Sequence, residues 1–426
     1  MKILIKSGRV LDPANDIDSI ADIYVDNGLI IAEDENFLPD KIIEAEGKWV
    51  TPGFIDLHVH LRDPGLTHKE DIRSGSQAAA IGGYTTICAM PNTKPVMDNS
   101  ELIVETYERI KAEAIVDVFL IGAATKSQEG AVLADIRAMK KAGICAVSED
   151  GFTVSNSLLM KQVLEACREA DLAMFSHCED ISLVNGGVIN EGEASRRFGL
   201  KGISNDSEDV IVARDIVLAA SVAAKLHLCH ISTKGAVEII KAAKMSGLKI
   251  SAECCPHHFS LSDEDIVEDD GNYKMNPPLR SKKDKQAIIE ALKDNVIEVI
   301  ATDHAPHHED EKAGGFKSSM NGIVGLETAL PLCITELVET GILSPSELIE
   351  KMTLNPAKVL GIKAGALSVG HPADIAIIDP DAAYKIDINK FKSKGKNTPF
   401  DGKEVKGRVA HLIKGGKIIV EDGGLK

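Results

Sequence analysis

Hydrophobic and polar positions follow one rhythm at the two ends of the chain and another in its middle. Residues 1–52 read as short stretches of period two, "KILIKSGRVLD", "ADIYVDNGLII" and "KIIEAEGKWVTPG", separated by Gly, Asp and Asn turn signals. Residues 361–426 repeat that texture in "GALSVGHPADIAIIDP" and "RVAHLIKGGKIIVEDG". Alternation of this kind places every second side chain on one face of a strand. The shared pattern predicts that residues 1–52 and 361–426 meet in one small β-sandwich domain, with residues 53–360 inserted between them.

The middle alternates apolar, β-rich runs with stretches of helical periodicity, the pattern of parallel β/α units. Eight strand candidates stand out: residues 53–61, 84–92, 116–125, 143–150, 171–180, 225–233, 249–258 and 296–306. Stretches such as "SLLMKQVLEACREA" and "TKGAVEIIKAAKMSG" supply helices between them. Eight units predict an α/β fold, a closed (β/α)8 TIM barrel, over an open doubly wound sheet. No G-x-G-x-x-G follows the first strand to favour the latter, and "GGYTT" precedes a strand and reads as a turn.

A barrel carries its chemistry at the C-terminal ends of its strands. The polar residues cluster there: His58 and His60 on the first strand, Asp150 on the fourth, His177 on the fifth, His230 on the sixth and Asp303 on the eighth. In "DLHVHLRDPG" the two histidines are two residues apart and so share a face, as would Arg62 if the strand continued. Nitrogen and oxygen donors without thiolate suit zinc, with manganese, cobalt or iron as alternatives. Six candidate ligands exceed the need of one tetrahedral ion and fit a two-metal site bridged by Asp150. A lone strand histidine is ordinarily a hydrogen-bonded core residue; it is the convergence of all six on one mouth that speaks for metal.

By the same alternation His227 and Cys229 are expected to face the helices, and Cys178 lies out of register with His177. His257 and His258, after Pro256, receive no role. Arg62 and Asn92 suit a carboxylate or amide edge, Arg62 through its two-pronged fork. Asn276 suits a ring amide, and His307 opens a Gly-containing loop that could close over a substrate.

Composition narrows the classes of function. A formal net charge of −17 without any block of Lys and Arg argues against a nucleic-acid or anionic-membrane surface. No apolar run is long enough to span a bilayer, and "MKILIKSGRVLDPAND" lacks the features of a signal peptide. The 8 cysteines are scattered, with no C-x-x-C pair. Reduced thiols and a cytoplasmic location are expected.

Taken together, "GFIDLHVHLRDPG", "AMPNTKPVMDN", "SEDG", "SHCED", "CHIST", "CPHHF", "MNPPLR" and "ATDHAPH" resemble the successive motifs of class I dihydroorotases in the amidohydrolase superfamily. The resemblance implies zinc-dependent, reversible cyclisation of N-carbamoyl-L-aspartate to L-dihydroorotate in pyrimidine synthesis. It implies two Zn2+ ions held by His58, His60, Asp150, His177, His230 and Asp303, bridged by Asp150 and a water or hydroxide, with Asp303 catalytic. Asp150 stands where many superfamily members carry a carboxylated lysine. Substrate contacts are implied for Arg62, Asn92, Asn276 and His307, and near Asn321 and Gly322. A homodimer and association with aspartate transcarbamoylase are further implications. Asp63, where the family usually has Glu, and "SSMNG" in the loop after the eighth strand depart from the pattern. Two rival readings are a sister cyclic amidase (hydantoinase or allantoinase) and a non-catalytic dihydroorotase-like scaffold for the transcarbamoylase.

Overall fold

The computed structural model describes residues 1–426. Eight parallel strands lie side by side in chain order: Phe54–Val59, Tyr84–Ala89, Asp117–Ala123, Ala146–Ser148, Ala173–Ser176, Lys225–Leu228, Ile250–Cys254 and Val299–Ile300. A parallel contact between Val59 and His304, with His60 N–H donating to the His304 carbonyl at 2.8 Å, brings the last strand back to the first. The result is a nearly closed (β/α)8 barrel.

The helices form where the spacing predicts. Helix Ser157–Glu169 buries Leu159, Met160, Val163, Leu164 and Cys167, one stripe of the 3.6-residue repeat, and the Asn156 side chain caps its first turn. Helix Lys234–Met245 buries Ala236, Val237, Ile240 and Ala243 and is capped by Thr233. The glycines of "GGYTT" do form the turn into a strand: Gly83 has φ +91°, and a Cβ there would stand 2.9 Å from the Phe54 ring.

The barrel has two apolar regions. Leu226, Leu228, Val147 and Met174 pack outward against the helices, whereas Ile55, Leu57, Ala146, Phe175, Cys229 and Val299 fill the lumen. The two chain ends pair in a separate nine-stranded sheet. In it Trp49–Pro52 runs parallel to Ile3–Asp12 and antiparallel to Ile375–Lys385. Ile3, Ile5, Val10, Val25, Ile375, Ile377 and Ile413 share one core there, so residues from opposite ends of the chain bury each other. No helix is long and apolar enough to cross a membrane.

Three expectations about strand extent and facing need correction. The seventh strand stops at Cys254: Pro256, lacking an N–H, opens the short helix Pro256–Ser260, which carries His257 and His258. The first strand ends at Val59, short of residue 61, and beyond it Arg62 turns the chain with a φ of +59°. His227 and Cys229 face into the barrel instead of toward the helices. The sixth strand alternates regularly with Leu226 and Leu228 outside, and His230 then changes phase through a φ of +35°.

Candidate metal centre and substrate cavity

All six acidic and imidazole side chains singled out in the sequence converge at the C-terminal mouth of the barrel. Asp150 is at the centre. Its Oδ1 lies 3.2 Å from His58 Nε2, 3.4 Å from His230 Nε2 and 3.6 Å from His177 Nδ1, and its Oδ2 lies 3.4 Å from His60 Nε2. Asp303 Oδ1 stands 3.0 Å from His60 Nε2 and 3.5 Å from His58 Nε2. His177 Nδ1 and His230 Nε2 face each other at 2.9 Å. All six residues are buried.

The backbone is bent to achieve this. His230 and Asp303 have φ of +35° and +48°, the left-handed region that non-glycine residues seldom occupy. Such conformations persist where surrounding structure holds them, commonly at functional sites. Burial works against the charge on both carboxylates. The facing imidazoles, led by His58 in each case, outweigh it and hold Asp150 and Asp303 below the usual carboxylate range.

Whether a metal fits is decided by the donor atoms. His58 Nδ1 is engaged by Glu253 Oε1 at 2.8 Å, yet His58 Nε2 is fully buried and has no hydrogen-bond partner. A buried acceptor left open beside two carboxylates is poorly satisfied by the protein alone. Two ligand trios, His58–His60–Asp303 and His58–Asp150–His230, each bring their donor atoms within 4.8 Å of one another. Imidazole and carboxylate donors suit a divalent metal. The donor set fits.

Beside these residues opens a cavity of about 420 Å3, lined by His60, Arg62, Asn92, Asn276, Asp303 and His307 among others. Arg62 is buried, and its hydrogen-bonding contacts are to neutral groups: Nε donates to the Pro306 carbonyl at 3.3 Å, and Nη2 lies 3.4 Å from His307 Nε2. His307 Nε2 donates to the Asn321 carbonyl at 2.8 Å. Burial, with Arg62, Lys69 and Lys312 nearby, pulls the His307 pKa down to about 3, so the imidazole is neutral at pH 7. Asn92 has a second contact, accepting from His60 Nδ1 at 2.9 Å, which orients that ring. Asn276 lines the same cavity. The N–H of Gly322 donates to Lys274 and its carbonyl accepts from Lys312 and Asn397, so this residue shapes the wall with its main-chain groups already bonded. Its φ of +120° and the 2.5 Å that a Cβ would leave to Ala305 require glycine.

The departures from the family pattern are placed by the same geometry. Asp63 is buried against Arg109 Nη1 and Nη2 on helix Ser100–Glu113 and so anchors that helix. The "SSMNG" segment is fastened by Lys312, whose Nζ donates to the carbonyls of Lys274, Met320 and Gly322 at 2.8–2.9 Å. Glu311 pairs with Lys69 at 2.7 Å. Lys312 is a clamp that the sequence does not single out, because one lysine in a charge-rich loop looks like solvated surface. Lys312→Met is expected to lower kcat/KM by about 10- to 100-fold through loosening of the 320–322 wall, a typical penalty for misplacing a substrate by an ångström. Steady-state kinetics beside a thermal melt check this; unchanged kcat/KM would remove Lys312 from the site.

Glu253 was also missed, though a carboxylate inside an apolar strand, "KISAECC", is a usable signal. His257 and His258 are buried beside the centre. Burial pulls His257 down to about 4, and His258 Nε2 meets the Pro277 carbonyl at 3.1 Å.

A Dihydro-orotase-like family model matches residues 47–236. The chain is 47% identical over 422 residues to the dihydroorotase of Acetivibrio thermocellus, covering 99% of each chain. It is 49% identical to that of Geobacter metallireducens over 98% of this chain and 99% of the relative. The chain belongs to the dihydroorotase family. Among solved structures, an L-hydantoinase (dihydropyrimidinase) from Arthrobacter aurescens superposes with a TM-score of 0.91 at 27% identity, covering 100% of this chain and 97% of that one. The barrel is therefore that of the metal-dependent amidohydrolases, and this member of the dihydroorotase family is a cyclic amide hydrolase. The sister hydantoinase reading is not favoured, since identity to the curated dihydroorotases is much the higher.

Proposed function

We propose that this chain interconverts L-dihydroorotate and N-carbamoyl-L-aspartate, with two zinc ions that His58, His60, Asp150, His177, His230 and Asp303 would hold, Asp150 being the carboxylate central to the set. The observation that carries the substrate assignment is Arg62. A buried guanidinium in the wall of the cavity, none of whose hydrogen bonds goes to a carboxylate, keeps its two-pronged donor face for an anion. Dihydroorotate brings a carboxylate; hydantoin and allantoin bring none.

Metal bound at this centre supplies Lewis acidity and lowers the pKa of water toward neutrality. The remaining work falls to side chains. Arg62 holds the substrate carboxylate by charge, Asn92 by an amide N–H, and His307 by turning its Nε2–H from the Asn321 carbonyl to the carboxylate. Asn276 meets the ring amide, and Asn321 and Gly322 close the wall. Asp303, kept ionised by its imidazole neighbours, accepts a proton from the attacking water. As the C–N bond of the ring breaks, Asp303 returns that proton to the departing nitrogen. In the direction of ring closure the order reverses. Residues 319–322, fastened by Lys312, form one wall of the cavity.

Arg62→Met tests the assignment. Loss of a charge-assisted carboxylate contact is expected to cost about 2–5 kcal/mol, a fall of roughly 30- to 4000-fold in kcat/KM for dihydroorotate. Any basal activity on dihydrouracil, the same ring without the carboxylate, should change far less. An equal loss on both substrates would mean that Arg62 serves the centre as a whole and does not read the carboxylate.

A further inference from the structure

Below the metal centre, in the lumen of the barrel, four polar side chains form a continuous line that ends on His58, and the three behind it have no part in the reaction as described. Ser251 Oγ lies 2.8 Å from His227 Nδ1, and His227 Nε2 lies 2.9 Å from Glu253 Oε2. Glu253 Oε1 then lies 2.8 Å from His58 Nδ1. His227, Glu253 and His58 are fully buried. The thiol of Cys229 also lies beside Glu253 and His58.

The hydrogens in this line can be counted. A carboxylate accepts only, so each of its two oxygens needs a donor. His58 must therefore carry its proton on Nδ1 and His227 on Nε2. A neutral His227 protonated on Nε2 presents a lone pair at Nδ1, which accepts from the Ser251 hydroxyl. Every group is satisfied in one arrangement, and that arrangement leaves the lone pair of His58 on Nε2, beside Asp150 and Asp303.

We infer that His227 and Glu253 are positioning residues that fix the tautomer and orientation of His58 and raise its basicity toward the metal. The inference rests on His58 being a metal ligand. Glu253 acts directly on that imidazole, and His227 acts one step further away by holding the second carboxylate oxygen. Carboxylate partners of ligand histidines do this elsewhere, and their loss typically weakens metal binding by about 10- to 100-fold. Here the partner is itself held by a second imidazole, so the effect should extend to His227, whose side chain is two hydrogen bonds away from His58.

The test is zinc affinity, measured by chelator competition on the full chain, with thermal melts of the metal-free proteins alongside. Glu253→Gln keeps the shape but removes the charge and should weaken zinc by about 10- to 100-fold. His227→Phe should weaken it in the same direction, and His227→Gln, whose amide can donate where Nε2 stood, should restore it. His58→Ala is the reference: if it leaves zinc affinity unchanged, the ligand assignment fails and the inference goes with it. If His58→Ala weakens zinc and Glu253→Gln and His227→Phe do not, only the relay is overturned. Should a variant fail to fold, 15N NMR of wild-type protein labelled at histidine reads the tautomers directly. Protons on His58 Nδ1 and His227 Nε2 support the relay, and either proton on the other nitrogen overturns it.

Discussion

Asp303→Asn is expected to reduce turnover by at least about a thousandfold while the fold survives. The asparagine preserves the size of the side chain but cannot take a proton from water, and general acid–base catalysis alone is typically worth 10²–10⁴. The same carboxylate oxygen also faces His58 and His60, so its loss removes a donor from the centre as well. Stability should be little affected, because Asp303 stands at the mouth of the barrel, above the lumen core of Ile55, Leu57, Phe175 and Val299. The variant should therefore melt within a few degrees of wild type (about 1 kcal/mol moves a large domain by roughly that much). Wild-type kcat in the asparagine variant would remove Asp303 from the chemistry.

Asp150→Ala is expected to have a comparable effect through a different route. One oxygen of this carboxylate faces His58, His177 and His230, and the other faces His60, so no single ion position escapes its loss. Removing a partner that only orients a ligand already costs about 10- to 100-fold in metal affinity, and a shared ligand should cost more than about a hundredfold. Four imidazoles would also face one another without their central anion. Metal analysis of the purified variant should show fewer than two ions per chain, and kcat should fall with metal content. Two tightly held ions in Asp150→Ala would contradict the bridging role.

Much of this arrangement was legible in the sequence. Period-two and 3.6-residue patterns identified the end strands, the eight parallel strands and helices such as Ser157–Glu169, because these elements are specified by which face each residue buries. The six polar residues at strand ends were legible for the complementary reason: nothing about core packing asks for imidazoles and carboxylates there. What failed was phase and reach. His227 was assigned to the wrong face because the strand's alternation was read backwards from His230, and His230 lies beyond a backbone turn that period-two reasoning cannot see. The seventh strand was drawn through Pro256, where the ring and missing N–H begin a helix instead. The roles of Glu253 and Lys312 are not legible for another reason, although the carboxylate of Glu253 inside an apolar strand does stand out. Their partners, His58 and three main-chain carbonyls, are brought to them only by the closed fold. Asn92 shows the mixed case, its place beside the substrate cavity legible and its bond to His60 not.

The most direct test of the central claim is ring opening of L-dihydroorotate by the purified, zinc-loaded chain on its own, followed by the loss of substrate absorbance. The structure predicts turnover without a partner protein, since residues 319–322 already form a wall of the cavity and are fastened there by Lys312. It also predicts that Asp303→Asn abolishes that signal. A folded chain shown to hold zinc that opens hydantoin or allantoin but leaves dihydroorotate intact would contradict the account.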